Sequence, residues 1–153
     1  MSGLTLDEKG VLTPCPTCGT TNRQAFEHLG QTSRCGKCHA ELAAPREPVN
    51  APDTAGFDRL IRGSRVPVLV DFWAPWCGPC RAVAPELQKV AQSLGGRLVI
   101  AKVNTDVLDE LATRYGIRSI PTFILFKDGV EAERVSGAMQ ASEIVRFLGE
   151  RVA

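Results

Sequence analysis

The six cysteines of this 153-residue chain form three C-x-x-C pairs with none left over: Cys15/Cys18, Cys35/Cys38 and Cys77/Cys80. Two kinds of chemistry use that spacing. Two such pairs can cage a metal ion with four thiolates, and a single pair can open and close a disulfide. In a reducing compartment both uses are more frequent than a purely structural disulfide. The residues around each pair separate the two.

Cys77 and Cys80 follow the apolar run Val68-Leu69-Val70-Asp71-Phe72-Trp73, and a helical pattern begins immediately after them. A thiol at a helix N-terminus faces unpaired N–H groups and the positive end of the dipole, which favours the thiolate. Cys80 lies within bonding reach of Cys77 and is expected a turn deeper and less exposed. Asp71 is the one acid in the apolar run. A carboxylate there has a raised pKa and suits proton transfer near neutrality. The competing role for Asp71 is a buried acid that Lys102 satisfies and that serves stability alone.

The other four cysteines sit in a different setting. Residues 1–44 carry few large apolar side chains, chiefly Val11, Leu12, Phe26, Leu29 and Leu42. A segment so short and so poor in core needs a metal or a crosslink. Cys15, Cys18, Cys35 and Cys38 supply four thiolates, with sixteen residues between the pairs. That is enough for one closed tetrahedral site, with zinc expected and iron as the alternative. Glycines in the two knuckles, Gly19 and Gly36, permit the positive φ such turns often require. Cys35-Gly36-Lys37-Cys38-His39 also spells the C-x-x-C-H pattern of haem attachment. That reading would leave Cys15 and Cys18 without a partner.

The elements that position these residues can be read from periodicity. Residues 45–52 hold three prolines and read as a linker, with a possible edge strand near Val49 to Ala51. From 53 to 153 the pattern is a larger domain. Asp53 or Thr54 caps a helix through Phe57, Leu60 and Ile61. A buried strand covers 66–72, and a helix with Pro85 inside it follows the cysteines. A second strand spans 98–103, and a helix near 108–115 stops at Gly116. Asp128-Gly129 joins the two arms of a hairpin, and a last helix closes the chain. Helices alternating with strands give an α/β layered fold with a mixed sheet, preceded by a small four-cysteine module.

Composition excludes several classes. Net charge is +1, and residues 1–44 hold four basic and four acidic side chains, so no nucleic-acid footprint exists. No apolar run is long enough to span a membrane. The first ten residues lack the basic and apolar regions of a secretory signal, so a cytoplasmic location is expected. Both histidines, His28 and His39, lie in the small module. Chemistry in the larger domain must therefore run on thiols, carboxylates and lysine.

Trp76-Cys77-Gly78-Pro79-Cys80 after a strand bearing Asp71, together with Ile120-Pro121-Thr122 before a hairpin, resembles the thioredoxin family over residues 49–153. The four-cysteine extension resembles that family's zinc-binding branch. The resemblance implies a four- or five-stranded sheet, a cis peptide at Pro121, and electrons from an NADPH-dependent thioredoxin reductase. By position it implies Cys77 as the attacking and Cys80 as the resolving cysteine. Asp71 is then the buried acid and Lys102 its neighbour. Pro121, Gly137, Trp73 and Trp76 match residues of the site, and Trp76, Gly78, Pro79, Ile120, Pro121 and Gly137 are expected to face the substrate. The expected activity is thiol–disulfide exchange on protein disulfides, in the reducing direction because no histidine lies between the cysteines. The zinc module is expected to be structural or redox-sensitive. The alternative is a zinc-dependent protein-binding module on a thioredoxin-like scaffold.

Overall fold

The computed structural model describes residues 3–152. Its centre is one mixed sheet of eight strands. In chain order the elements are β1 (Leu4–Leu6), β2 (Gly10–Pro14), β3 (Thr21–Ala25), β4 (Ser33–Arg34), β5 (Glu41–Leu42), β6 (Val49–Asn50), α1 (Thr54–Gly63), β7 (Val68–Trp73), α2 (Gly78–Ser93), β8 (Val99–Asn104), α3 (Asp109–Arg114), β9 (Thr122–Lys127), β10 (Val130–Ser136) and α4 (Ala141–Leu148). The sheet order is β10-β9-β7-β8-β6-β1-β2-β3, and β4 and β5 form a separate two-stranded ribbon.

Local chemistry accounts for the element ends. The Asp53 side chain accepts from the Gly56 N–H at 2.7 Å and caps α1. Asp128 and Gly129 both have positive φ, +54° and +80°, as a two-residue hairpin turn requires. Gly116 ends α3 at φ +64°. At α4 a capping box joins Gln140 and Glu143.

Each face of the sheet has its own core. On the α1 side, Phe57, Leu60, Val70, Phe72, Val103 and Phe126 are buried together. Phe57, Tyr115 and Phe126 meet edge to face there. On the α2 and α4 side, Leu69, Val83, Leu87, Ile100, Phe123 and Ile144 form a second core. β7 lies between β8 and β9 and is buried on both faces, which explains its unbroken apolar run.

The N-terminal residues join this sheet directly. β1 pairs parallel with β6, Leu4 opposite Val49, and antiparallel with β2. The Val49 region is therefore an interior strand between β8 and β1, where the sequence reading expected an edge. Leu6, Val11, Phe26 and Leu29 are buried in the α1-side core of the larger fold. Each such side chain contributes about 1.5–3 kcal/mol of burial. At Gly56 an added Cβ would meet Leu6 at 2.6 Å, so Leu6 packs onto the bare backbone of α1. Gly30 and Gly96, at φ +92° and +90°, bring two loops so close that a Cβ on Gly30 would stand 2.6 Å from the Gly96 carbonyl. Residues 1–44 are thus not a detached body. Only the part around the four cysteines has its own small cluster, Cys15, Cys35 and Leu42.

Candidate active site and metal centre

β7 delivers the chain to a tight turn, and α2 starts at its end. Cys77 is the N-cap of α2; its sulfur accepts the Cys80 N–H at 3.1 Å. Pro79, without an N–H, occupies the first turn, where none is needed. Cys77 and Cys80 are disulfide-bonded, with Cα atoms 5.2 Å apart. Their residue exposures, 4% and 3%, do not differ as the sequence reading expected. The asymmetry lies in their neighbours. Trp76, Gly78 and Pro79 are exposed around Cys77, and the Cys77 sulfur lies 3.8 Å from the Ile120 carbonyl.

Three further segments converge on this turn. The Ile120–Pro121 peptide is cis, and the Pro121 carbonyl accepts the Gly137 N–H at 2.9 Å. Gly137 takes φ +101° and is exposed, whereas Pro121 is buried. Trp76 is 68% exposed, and its indole N–H donates to the Asp106 carboxylate at 3.1 Å. Asp106 was missed in the sequence, where nothing in Asn104-Thr105-Asp106 marks it as a partner of Trp76. Arg81 donates to the Pro75 carbonyl at 2.8 Å and fastens the turn from the helix side. Trp73 is only half-buried, with its ring 4.6 Å from the Lys102 ammonium.

Asp71 is 1% exposed, on the face of β7 that α2 covers, opposite Lys102 in β8. Burial pushes its carboxyl up to about 7, against a smaller opposing effect of the Lys102 charge. Its Oδ1 has no hydrogen-bond partner among the described residues. A carboxyl in that state is close to half-ionised at neutral pH and can accept or release a proton.

The sulfurs of Cys15, Cys18, Cys35 and Cys38 all lie within 4.8 Å of one another. Cys15 to Cys38 and Cys18 to Cys35 are both 3.6 Å. A tetrahedral zinc with Zn–S bonds of about 2.3 Å places its sulfurs about 3.8 Å apart, so the donor set and spacing fit that ion. The Thr17 and Lys37 N–H groups point at the Cys15 and Cys35 sulfurs at 3.4 Å. Asn22 clamps the second knuckle, donating to the Cys35 sulfur at 3.4 Å and accepting from the Gly36 N–H at 2.9 Å. The Cys35 thiol is pushed down to about 5 by the Cys38 N–H, then by Asn22 and the Lys37 N–H. The positive φ of the second knuckle falls on His39, at +66°, where the first uses Gly19 at +80°. Gly36 does not take this role.

Known proteins align with both parts. A family model described as Thioredoxin matches residues 48–150, and one described as Thioredoxin 2, N-terminal, a zinc ribbon, matches residues 14–40. The chain is 37% identical over 138 residues to thioredoxin C-3 of Corynebacterium nephridii, spanning 90% of this chain and 93% of that one. It is 49% identical over 92 residues to thioredoxin 1 of a Nostoc species, covering 60% of this chain and 86% of the relative. A mutant thioredoxin from Halobacterium salinarum NRC-1 superposes with a TM-score of 0.67 at 30% identity, over 73% of this chain and 96% of the other. Among the described residues no helix is long and apolar enough to cross a membrane. With the disulfide pair at the mouth of α2 and these matches together, the chain belongs to the thioredoxin family: it is a thiol–disulfide oxidoreductase that carries an N-terminal zinc ribbon of the thioredoxin 2 type.

Proposed function

We propose that the protein is a general protein-disulfide reductase. The observation that carries this reading is the disulfide-forming pair at the N-terminus of α2, with Asp71 raised to about 7 on the strand behind it. Cys77, as thiolate, attacks one sulfur of a target disulfide, and one target thiolate leaves. A mixed disulfide now joins Cys77 to the target. Cys80 gives its proton to Asp71 as its sulfur bonds to Cys77, and the second target thiolate leaves. The target has gained two electrons, and Cys77–Cys80 is oxidised. Lys102 limits how far burial raises the Asp71 carboxyl.

The exposed ring of Trp76 with Gly78, Pro79 and Gly137, bordered by the half-buried Ile120 and the buried Pro121, forms the surface on which a target chain lies. A disulfide-containing protein is the substrate class, and an NADPH-dependent thioredoxin reductase restores the dithiol. Cys15, Cys18, Cys35 and Cys38 hold one zinc ion, whose part is to tie the two knuckles together. The compartment is cytoplasmic. NADPH-coupled insulin reduction, with metal analysis of the same sample, tests the proposal. Turnover lost in Cys77→Ser with about one zinc per chain retained is the expected result. Turnover unchanged in that variant would leave the domain a scaffold for a zinc-dependent binding module.

A further inference from the structure

The α2 face of the sheet is unevenly covered. α2 and α4 close it over β7, β8 and β9, but the sheet continues past β8 into β6 and β1. Along that direction Asp71 stands opposite Lys102, Lys102 opposite Asn50, and Asn50 opposite Thr5. In-register neighbours share a face of the sheet. A row of polar side chains therefore leads from the buried acid to the first strand of the N-terminal segment. Where the flank of α2 ends, a cleft of about 380 Å³ opens. Trp73, Arg81 and Lys102 line it together with Gly3, Pro48 and Asn50. Two buried polar atoms on this flank, Asp71 Oδ1 and Trp73 Nε1, have no partner among the described residues.

Asn50 is fixed from behind by the segment that precedes the metal centre. Its Nδ2 donates to the Leu4 carbonyl at 3.4 Å, and the Thr5 hydroxyl donates to the Asn50 carbonyl at 3.3 Å. An added Cβ on Gly3 would come within 3.1 Å of the same Nδ2. With one amide hydrogen donated to Leu4, the side chain keeps its carbonyl oxygen as an acceptor in the cleft it shares with Lys102, whose ammonium lies 4.6 Å from the Trp73 ring.

We propose that Asn50 is a positioning residue for Lys102, and that through it strand β1 sets the proton affinity of Asp71. The amide oxygen draws the ammonium along the row, away from the acid, and keeps the carboxyl protonated to a higher pH. The consequence for rate rests on the reading of Asp71 as the base; the titration itself does not. The other groups facing Asp71 are few. Cys77 and Cys80 on α2 carry no titrating proton while disulfide-bonded, Arg81 lines the cleft, and β9 presents Phe123.

The test follows the Asp71 carboxyl ¹³C shift against pH in the oxidised, metal-loaded, full-length protein. Asn50→Ala frees the ammonium to approach Asp71 and lowers the midpoint by about 0.3 unit. Asn50→Asp places a carboxylate beside Lys102 and about 10 Å from Asp71, two strand spacings away, and raises it by about 0.5 unit. Gly3→Ala, which pushes on the Asn50 amide, shifts the midpoint in the direction of Asn50→Ala. Both Asn50 variants at the wild-type midpoint, while Lys102→Met raises it, would overturn the proposal. So would a Gly3→Ala midpoint equal to wild type, since the link to β1 would be absent. If Asp71→Asn instead resolves mixed disulfides at the wild-type rate, only the base role fails, and the titration result stands.

Discussion

The redox pair and the two ribbon knuckles begin with the same turn. In each, the fifth residue returns its N–H to the carbonyl of the first cysteine: Gly19 to Cys15 at 2.9 Å, His39 to Cys35 at 3.0 Å, Arg81 to Cys77 at 3.2 Å. In each, an N–H of the turn points at the first sulfur. They part at that fifth residue. Gly19 and His39 enter the left-handed region and reverse the chain, so Cys15 and Cys35 close hairpins through bonds to Thr20 and Ala40 at 2.8 Å. Arg81 stays helical, and the turn becomes the first of α2. Reversal lets two pairs face each other and make a cage. Continuation leaves one pair alone at a helix mouth, with only each other to bond. One backbone dihedral thus separates a turn that opens a helix from turns that reverse and gather into a four-sulfur cluster.

The largest test of that contrast is to remove sulfur from each side. Cys77→Ser should reduce insulin turnover by about 10³-fold or more, since Cys77 is the thiol that the exposed Trp76, Gly78 and Pro79 surround. Cys80→Ser should instead accumulate the mixed disulfide, visible on a non-reducing gel. Cys35→Ser should lose metal while Cys77 and Cys80 still form their disulfide, as judged by metal analysis and thiol counting. Loss of metal should raise amide exchange through residues 15–40. β1 and β2 should stay protected, because Leu6 and Val11 belong to the main core.

Asp71 gives the next largest effect, which depends on pH. Its carboxyl is raised in the folded state to about 7 from 3.8, so the folded protein holds the proton more tightly than the unfolded chain. The stability linked to that proton is complete below about pH 4 and is lost as pH rises through 7. Asp71→Asn should therefore gain little at pH 4 and on the order of 3–4 kcal/mol at pH 8 relative to wild type, by denaturant unfolding of the oxidised form. The same variant should slow resolution of a mixed disulfide by about 10²-fold at pH 7. Equal stabilisation at pH 4 and pH 8 would contradict the linkage.

The smallest test concerns the dihedral itself. His39 holds a conformation that costs a non-glycine residue about 1 kcal/mol, and its counterpart Gly19 bears no such cost. His39→Gly should stabilise the ribbon by up to about that amount, read as greater resistance to a chelator. An unchanged half-time would mean that the imidazole carries compensating contacts.

Legibility in the sequence followed the range of the interaction. The three cysteine pairs, the Asp53 cap, the Asp128-Gly129 turn and the isolated acid at Asp71 were readable because neighbours within a few residues determine them. The pairing of Leu4 with Val49 was not, because it joins strands 45 residues apart. Leu6 had no visible partner, and Phe26 and Leu29 read as the meagre core of a separate module. In the fold they complete the core beneath α1. The same gap hid Asn50, which reads as one more polar residue in a proline-rich linker. Asp106 escaped for the same reason of range: its bond to Trp76 joins two loops 30 residues apart in the chain. Gly36 drew attention as the obvious candidate for positive φ, yet the turn placed it at His39, one residue after the second cysteine as in the first knuckle.

The parallel seam between β1 and β6 also sets where this protein can be cut. Trimming the chain before residue 48 would leave Val49–Asn50 as an open border of two residues. The Gly56 backbone and the Phe57 side of α1 would lose the side chains now packed on them. A bare strand border beside an uncovered apolar surface is a template for self-association. The amino-terminal strands therefore cover the strand border and the apolar side of α1 that trimming would expose.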